Sequence, residues 1–421
     1  MKQRRYKRVS LSAIFTILRK FIVKKGNMKI RNYHFIRYIS VLLLFCLVSC
    51  EKDDVEPKKT RTLMVYLAGD NDLSSSLQKN INDMLKGWEK GFNGNIVIYY
   101  DASGAAPKLL TFVEGKKGVF EKREIKTYEE MNSASSETLR DVIKEMQELY
   151  PAESYGLILG SHATGWILPG LGGRGESQRM MTTPVSRSFG SDGGVEMDIR
   201  DMAKDMPGGL DFILFDACFM SSIEALYELR DKAKYIIASA AESPAPGFPY
   251  EELMSYFWGT GENLKKDLQE VCRIFYEYYS NYDMGFGTIA LINPAELNHL
   301  RDLTRQVLQG KAETVAQMGR ADVYYYPKAA YSRHYMFFDL GQFMKFMTSE
   351  DPDLYDAYLK QLDKVVLYKA ATQPFYGRKN EVQQDKFSGI STYIPLVVPS
   401  WSSYTDAYWG FDWAKFVYDK D

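Results

Sequence analysis

The chain has 421 residues, 53 Lys plus Arg against 54 Asp plus Glu, and is 45 % apolar and 14 % aromatic. That length supports one large domain or two smaller ones, with enough apolar residues for a sizeable core. Balanced charge excludes the global field that would recruit nucleic acid.

The chain opens on a targeting segment. Residues 1–27 precede a better start at Met28, from which a basic stretch leads into an apolar run, Val41 to Val48. The run is too short to span a bilayer but suits a secretory signal core. It closes in Leu47-Val48-Ser49-Cys50, which resembles a bacterial lipobox. Residues 1–49 are therefore expected to be removed and Cys50 to carry lipid, an ordinary secretory signal being the plainer alternative. Acidic residues follow at once in "CEKDDVEP", which resembles surface-export signals of bacterial lipoproteins. The expected location is the bacterial envelope, at the outer membrane and facing outward. Residues 50–60, charged and interrupted by Pro57, form a tether.

The remainder alternates. "TLMVYLA" (62–68) predicts a strand, and Leu73, Leu77, Ile81, Met84 and Leu85 follow at helical spacing. Residues 95–101 predict a second strand, and "KLLTFVEGKKGVFEKREI" a hairpin turned at Gly115 and Gly118. A helix starting near Ser136 and Glu137 leads to a third strand, "YGLILG" (155–160). A Gly- and Ser-rich loop occupies about 169–195. After a short helix come "DFILF", a helix from about Ser221, and "KYIIAS", the fourth and fifth strands. This order predicts an α/β fold with a mostly parallel sheet flanked by helices, over 61–290. Residues 291–421 are mixed, with 294–318 helical and 387–395 strand-like, and predict an α+β extension packed on the first part.

Of four Cys, Cys46 leaves with the signal and Cys50 is the lipid site, leaving Cys218 and Cys272. Those two could form a disulfide. Cys272 falls on the apolar side of a helical pattern with Leu268 and Phe275, which makes it core filler and Cys218 a thiol outside the cytoplasm. His162 ends the third strand as Cys218 follows the fourth. A lone His at a strand end is more often structural, but open α/β sheets build their sites at the carboxyl ends of strands. On neighbouring strands about 4.8 Å apart, imidazole and thiol would come within reach. A nearby His and the start of a helix favour the thiolate, and N–H groups there can hold an oxyanion. Asp216 is expected on the opposite side of the strand, as an anchor for loops.

Other groups point to less. Asp70 and Asp72 flank Asn71, and Asp72 is expected to cap the first helix. "GLGGRGE" lacks the Lys-Ser/Thr of a phosphate loop. His299 and His334 lack metal-ligand spacing. The aromatic cluster at 324–338 is expected in the core, a glycan or peptide surface being the alternative.

"LILGSHATGW", "SFGSDGGVEMDIRDMA", "DFILFDACFMSSIEALYELRDKAKYIIAS" and "GFPY" together resemble the clostripain-like cysteine peptidases of the caspase-like clan. "RTLMVYLAGDNDL", "FFDLGQF" and "FSGISTYIP" resemble further segments of that family, so the likeness covers most of residues 61–400. It implies a caspase-like fold, a peptide or protein substrate, His162 as general acid and base, and Cys218 as nucleophile. It implies an oxyanion hole from the N–H groups of Ala163 and Cys218, and processing in the 170–195 loop, where Arg174, Arg179 and Arg187 are the candidate points. Some relatives use Ca²⁺, for which Asp70 and Asp72 are the candidate ligands; no other cofactor is implied, and a monomer is expected. Two positions depart from the pattern. Ala163 stands where the family has Gly, which would strain a hole that needs φ > 0. Relatives that cleave after Arg or Lys carry an acid after the fifth strand, where "AAESPAPGFPY" has Pro246, leaving Glu242 as the loop's acid. A catalytically silent relative serving as a peptide-binding or adhesion module is the competing expectation.

Overall fold

The computed structural model describes residues 59–169, 188–281, 285–326, 336–373, 382–396 and 402–419. Residues Lys58–Asp421 form one compact unit. Cys50, Arg174, Arg179, Arg187 and His334 lie outside the described residues.

The strands in chain order are β1 (Lys59–Gly69), β2 (Gly94–Ala102), β3 (Ala105–Glu114), β4 (Phe120–Thr127), β5 (Ala152–Gly160), β6 (Phe189–Asp192), β7 (Val195–Met197), β8 (Leu210–Asp216), β9 (Ala233–Ala238), β10 (Thr288–Ile292), β11 (Phe338–Asp339), β12 (Val366–Ala371) and β13 (Ser391–Thr392). Nine of them make one sheet in the order β12-β10-β9-β8-β5-β1-β2-β3-β4. The five central strands, β9-β8-β5-β1-β2, run parallel, and antiparallel pairs close both sides. The mostly parallel sheet flanked by helices that the alternation predicts is present, and it agrees with the caspase-like fold that the resemblance implies.

Both faces of the central strands are buried, so alternate residues feed two cores. Leu63, Val65 and Leu67 of β1 enter one core, while Met64, Tyr66 and Ala68 enter the other. Helix α1 (Ser74–Lys86) covers the first face through Leu77, Ile81 and Met84. Helix α2 (Ser136–Leu149), whose N-cap Ser135 accepts from the Thr138 N–H, covers the second through Leu139, Val142 and Ile143. Period two in the strands and 3.6 in the helices made these elements legible.

Three elements differ from expectation. The loop at 169–195 ends in the β6–β7 ribbon, held by fully buried Phe189. The strand expected over 387–395 is a two-residue pairing of β13 with β11. Helix α3 (Ile223–Glu228) begins five residues after Cys218, and a tight turn fills the interval. Strand β12 follows a helix with no turn residue between them, so the sequence carried no boundary signal for it.

Candidate active site

The chain leaves β1 toward β2 and leaves β5 toward β8, so the sheet reverses its winding between β1 and β5. Crevices at such points, beyond the carboxyl ends of the strands, are where α/β sheets place ligands. Register does the rest. Gly160 of β5 pairs with Asp216 of β8. His162 and Cys218 each lie two residues further on, and both line one cleft of about 230 Å³.

The nucleophile candidate sits on a strained turn. Phe219, directly after Cys218, has φ +59°, unusual for a bulky residue. Its ring stacks on Phe337 at 4.3 Å between centroids, and its N–H donates to the Ala241 carbonyl at 2.9 Å. Ser221 ties the turn further, its Oγ donating to the Gly389 carbonyl at 2.7 Å and its carbonyl accepting from the Ser391 N–H at 2.9 Å. The loop after β9 covers the thiol: the Ser243 N–H donates to Cys218 Sγ at 3.2 Å. The Ser243 carbonyl lies 3.8 Å from the same sulfur, so this one residue offers Cys218 both a donor and an acceptor. Helix α3 begins only at Ile223, so Cys218 does not stand at a helix start as expected. Cys272 is buried in the core under α1's face, where burial pushes its thiol well up, and the two cysteines are not bonded to each other.

His162 is 25 % exposed, and its Nε2 lies 2.5 Å from Oδ1 of Asp72, which is 63 % exposed. Asp72 is therefore not the helix cap. Asn71 makes the turn instead: its Oδ1 accepts from the Leu73 N–H at 2.9 Å, and its Nδ2 donates to the Ala68 and Ser191 carbonyls at 3.0 Å each. Asp72 is engaged by His162, and among the described residues no group of three or more His, Cys, Asp or Glu could hold a metal ion.

Ala163 faces Phe189 in an isolated antiparallel bridge. Its neighbours make the bonds: Thr164 N–H donates to Ser188 at 3.3 Å and Gly190 N–H to the His162 carbonyl at 2.9 Å. Ala163 is thus the non-bonded member of the pair, and its own N–H has no acceptor among the described residues. Its φ is not positive, so the strain anticipated for Ala in place of Gly does not arise.

Asp216 anchors the floor of the cleft. Its Oδ2 accepts from Tyr250 OH at 2.9 Å and from the Phe248 N–H and Asn80 Nδ2 at 3.4 Å each. Burial pushes its carboxyl up to about 6, with the Tyr250 and Phe248 donors opposing. A Cβ on Gly247, where φ is +73°, would stand 2.5 Å from Asp216 Oδ2, so the loop closes on this carboxylate only with glycine. Strict alternation would put residues 216 and 218 on one face. The strand ends at Asp216, however, and the turn that follows packs Cys218 against the core on the α2 side of the sheet. Asp216 and Asn80 nevertheless line the same cleft as Cys218. Asn80 is 1 % exposed, and its Oδ1 has no hydrogen-bond partner. Glu242 also lines the cleft, whereas Pro246 lines a neighbouring groove outside it. Asn80 and Ser243 went unnoticed in the sequence, because neither carries a motif; only topology brings them to the cleft.

A parallel-centred sheet with His and Cys at matching positions beyond adjacent strands is the architecture of caspase-like cysteine peptidases. The model of the Clostripain family matches residues 65–420, and the chain belongs to that family. Clostripain of Hathewaya histolytica is 26 % identical over 239 residues, which cover 49 % of this chain and 44 % of that protein. The match thus spans less than half of that relative's length. An inactive zymogen protease of the same family from Parabacteroides distasonis is 30 % identical, covering 86 % of this chain and 99 % of that one, with TM-score 0.70. A secreted cysteine protease of the family from Bacteroides thetaiotaomicron, solved with an irreversible peptide inhibitor, is 27 % identical over 85 % of this chain and 99 % of its own, also with TM-score 0.70.

Proposed function

We propose that the chain is a cysteine endopeptidase in which Cys218 and His162 form the catalytic dyad. The observation that carries this reading is the register of β5 and β8, which delivers both side chains to one cleft. His162 takes the proton from Cys218, and the sulfur attacks the carbonyl carbon of the scissile bond. The resulting oxyanion would receive the N–H of Ala163, which has no acceptor among the described residues, and that of Cys218. As the C–N bond breaks, His162 returns the proton to the leaving amine. Water, deprotonated by His162, then hydrolyses the thioester and restores the thiol. The inhibitor complex of the Bacteroides relative supports a peptide substrate.

The cleft floor suggests what the residue before the scissile bond carries. Asp216 and the unpartnered Oδ1 of Asn80 offer acceptors and charge, which suit a long side chain ending in a cation or amide donor. A basic residue is therefore the favoured occupant, recognised by Asp216 rather than by the loop acid that the family pattern led one to look for. The signal and lipobox motifs support export and a lipid anchor at Cys50, with the body on the bacterial envelope. No step requires a metal.

The test is cleavage of a mixed fluorogenic peptide library by the chain from Glu51 onward, beside Cys218→Ala. Cleavage that disappears in the variant supports the peptidase. Kinship with an inactive zymogen makes limited proteolysis between residues 170 and 195 the necessary second arm. Silence that persists after such cutting, in a folded and reduced protein, would favour the peptide-binding module instead.

A further inference from the structure

We propose that Asp72 is a positioning residue that holds His162 in the tautomer and orientation its chemistry needs, an inference that rests on the dyad reading. Three adjacent parallel strands carry the argument. Cys218 follows β8, His162 follows β5, and Asp72 follows β1, so the three side chains stand in strand order at the carboxyl edge of the sheet. Asp72 Oδ1 lies 2.5 Å from His162 Nε2. An ionised carboxylate only accepts, so this contact places a proton on Nε2 and leaves exchange with the thiol to Nδ1.

The loop is built to hold the carboxylate there. Asn71 ties the turn to Ala68, Ser191 and Leu73 by three side-chain hydrogen bonds. Asp72 follows with its backbone fixed on both sides, between that turn and the first turn of α1. The β6 residue Ser191, which receives one of these bonds, also lies one residue past Gly190, whose N–H donates to the His162 carbonyl. One short ribbon therefore registers the acid loop and the histidine backbone together.

Magnitude separates this arrangement from a buried catalytic triad. Loss of a buried carboxylate behind the histidine costs about 10⁴ in kcat. Asp72 is 63 % exposed, so water screens its charge and replaces part of its hydrogen bond. The expected loss is about tenfold.

The experiment compares Asp72→Ala, Asp72→Asn, Asp72→Glu and Asp70→Ala in the chain from Glu51 onward. Steady-state cleavage of the best library peptide is measured together with ¹⁵N NMR of the His162 ring in a Cys218→Ala background. Asp72→Ala should lower kcat about tenfold with KM within twofold and an unchanged melting temperature. Asp72→Asn, whose amide can donate to Nε2 and so favour the wrong tautomer, should not recover that loss, whereas Asp72→Glu, which keeps a carboxylate acceptor, should recover part of it. The ring should be protonated on Nε2 in the parent and mixed in Asp72→Ala. A kcat within twofold of the parent, an equal loss in Asp70→Ala, or an Nδ1-protonated ring in the parent overturns the proposal. A parent that cleaves nothing, with iodoacetamide labelling Cys218 equally fast in the parent and His162→Ala, sinks the peptidase reading. The ring spectrum still decides the role of Asp72 in that case.

Discussion

Gly165 lies beneath the turn that carries Cys218: a Cβ added to it would stand 2.4 Å from the carbonyl oxygen of Phe219. Both residues have positive φ, +62° for Gly165 and +59° for Phe219. The segment after His162 and the segment after Cys218 are thus packed backbone to backbone. Gly165→Ala must either push the Phe219 peptide away or distort its own chain. The expected cost is roughly 1–3 kcal/mol in urea unfolding. With Cys218 as the proposed nucleophile, the expected fall in kcat is at least tenfold, since a small displacement is enough. A variant as active as the parent would show that the turn does not set the position of Cys218.

Asp216 predicts a pH-dependent selectivity. Its carboxyl is raised to about 6 by burial, so it is ionised above that pH and neutral below it. The ratio of kcat/KM for a substrate with Arg before the scissile bond to that for its Leu analogue should fall as pH drops from 7.5 to 5. His162 and Cys218 line the same cleft but act on both substrates alike, and the ratio removes their contribution. Glu242 faces the cleft too, so Asp216→Asn is the control. It should flatten the ratio at a low value. A ratio with the same pH slope in Asp216→Asn would assign the selectivity to Glu242.

How far the sequence reached can be seen in these residues. Apolar runs bounded by turns marked β1, β5, β8 and β9, because a strand buried on both faces must be apolar throughout. Cys218 and His162 were visible because each ends such a run. Asp216 was placed as a loop anchor, and Tyr250 and Phe248 show how it serves as one. What stayed hidden depends on contacts between distant segments. Asp72 seemed the helix cap because its type and position fit, yet Asn71 took the turn and released it toward His162. Ala163 was suspect because glycine was expected there, but the bridge to Phe189 shows a backbone that alanine adopts without cost.

At the opposite end of β1, Arg61 offers a stability probe that leaves the cleft alone. It is fully buried, donates to the Phe257 and Gly259 carbonyls at 2.7 Å each, and pairs with Asp211, which also receives Lys234 at 2.7 Å. Arg61→Ala would strand two carbonyls and leave Asp211 with one exposed partner. A loss of about 3–5 kcal/mol is expected in denaturant unfolding. The kcat of the folded fraction should match the parent, because β1 separates the two ends. A selective loss of kcat at unchanged stability would contradict this division of labour.

Glu224, on helix α3 after the Cys218 turn, gives the last prediction. Its Oε1 accepts from the Tyr393 N–H at 2.8 Å and Thr392 Oγ1 at 2.9 Å, while Oε2 is buried with no partner. Burial raises its carboxyl from 4.5 to about 7, the backbone and hydroxyl donors opposing. Between those values the native state holds a proton that the unfolded chain has released. This contribution to stability is therefore complete below pH 4.5 and is lost as pH rises through about 7. Asp101, raised to about 7, and Asp216, raised to about 6, act with the same sign, so the parent alone cannot isolate Glu224. Glu224→Gln keeps the oxygen that holds Tyr393 and Thr392 and cannot ionise. Relative to the parent, it should gain roughly 1–3 kcal/mol between pH 5 and pH 8 in urea unfolding. Some constant loss from the unpartnered amide is expected at both pH values. Parallel stability curves for the two proteins would mean that Glu224 is ionised in the native state and that the segment at 391–393 is held by a charged group.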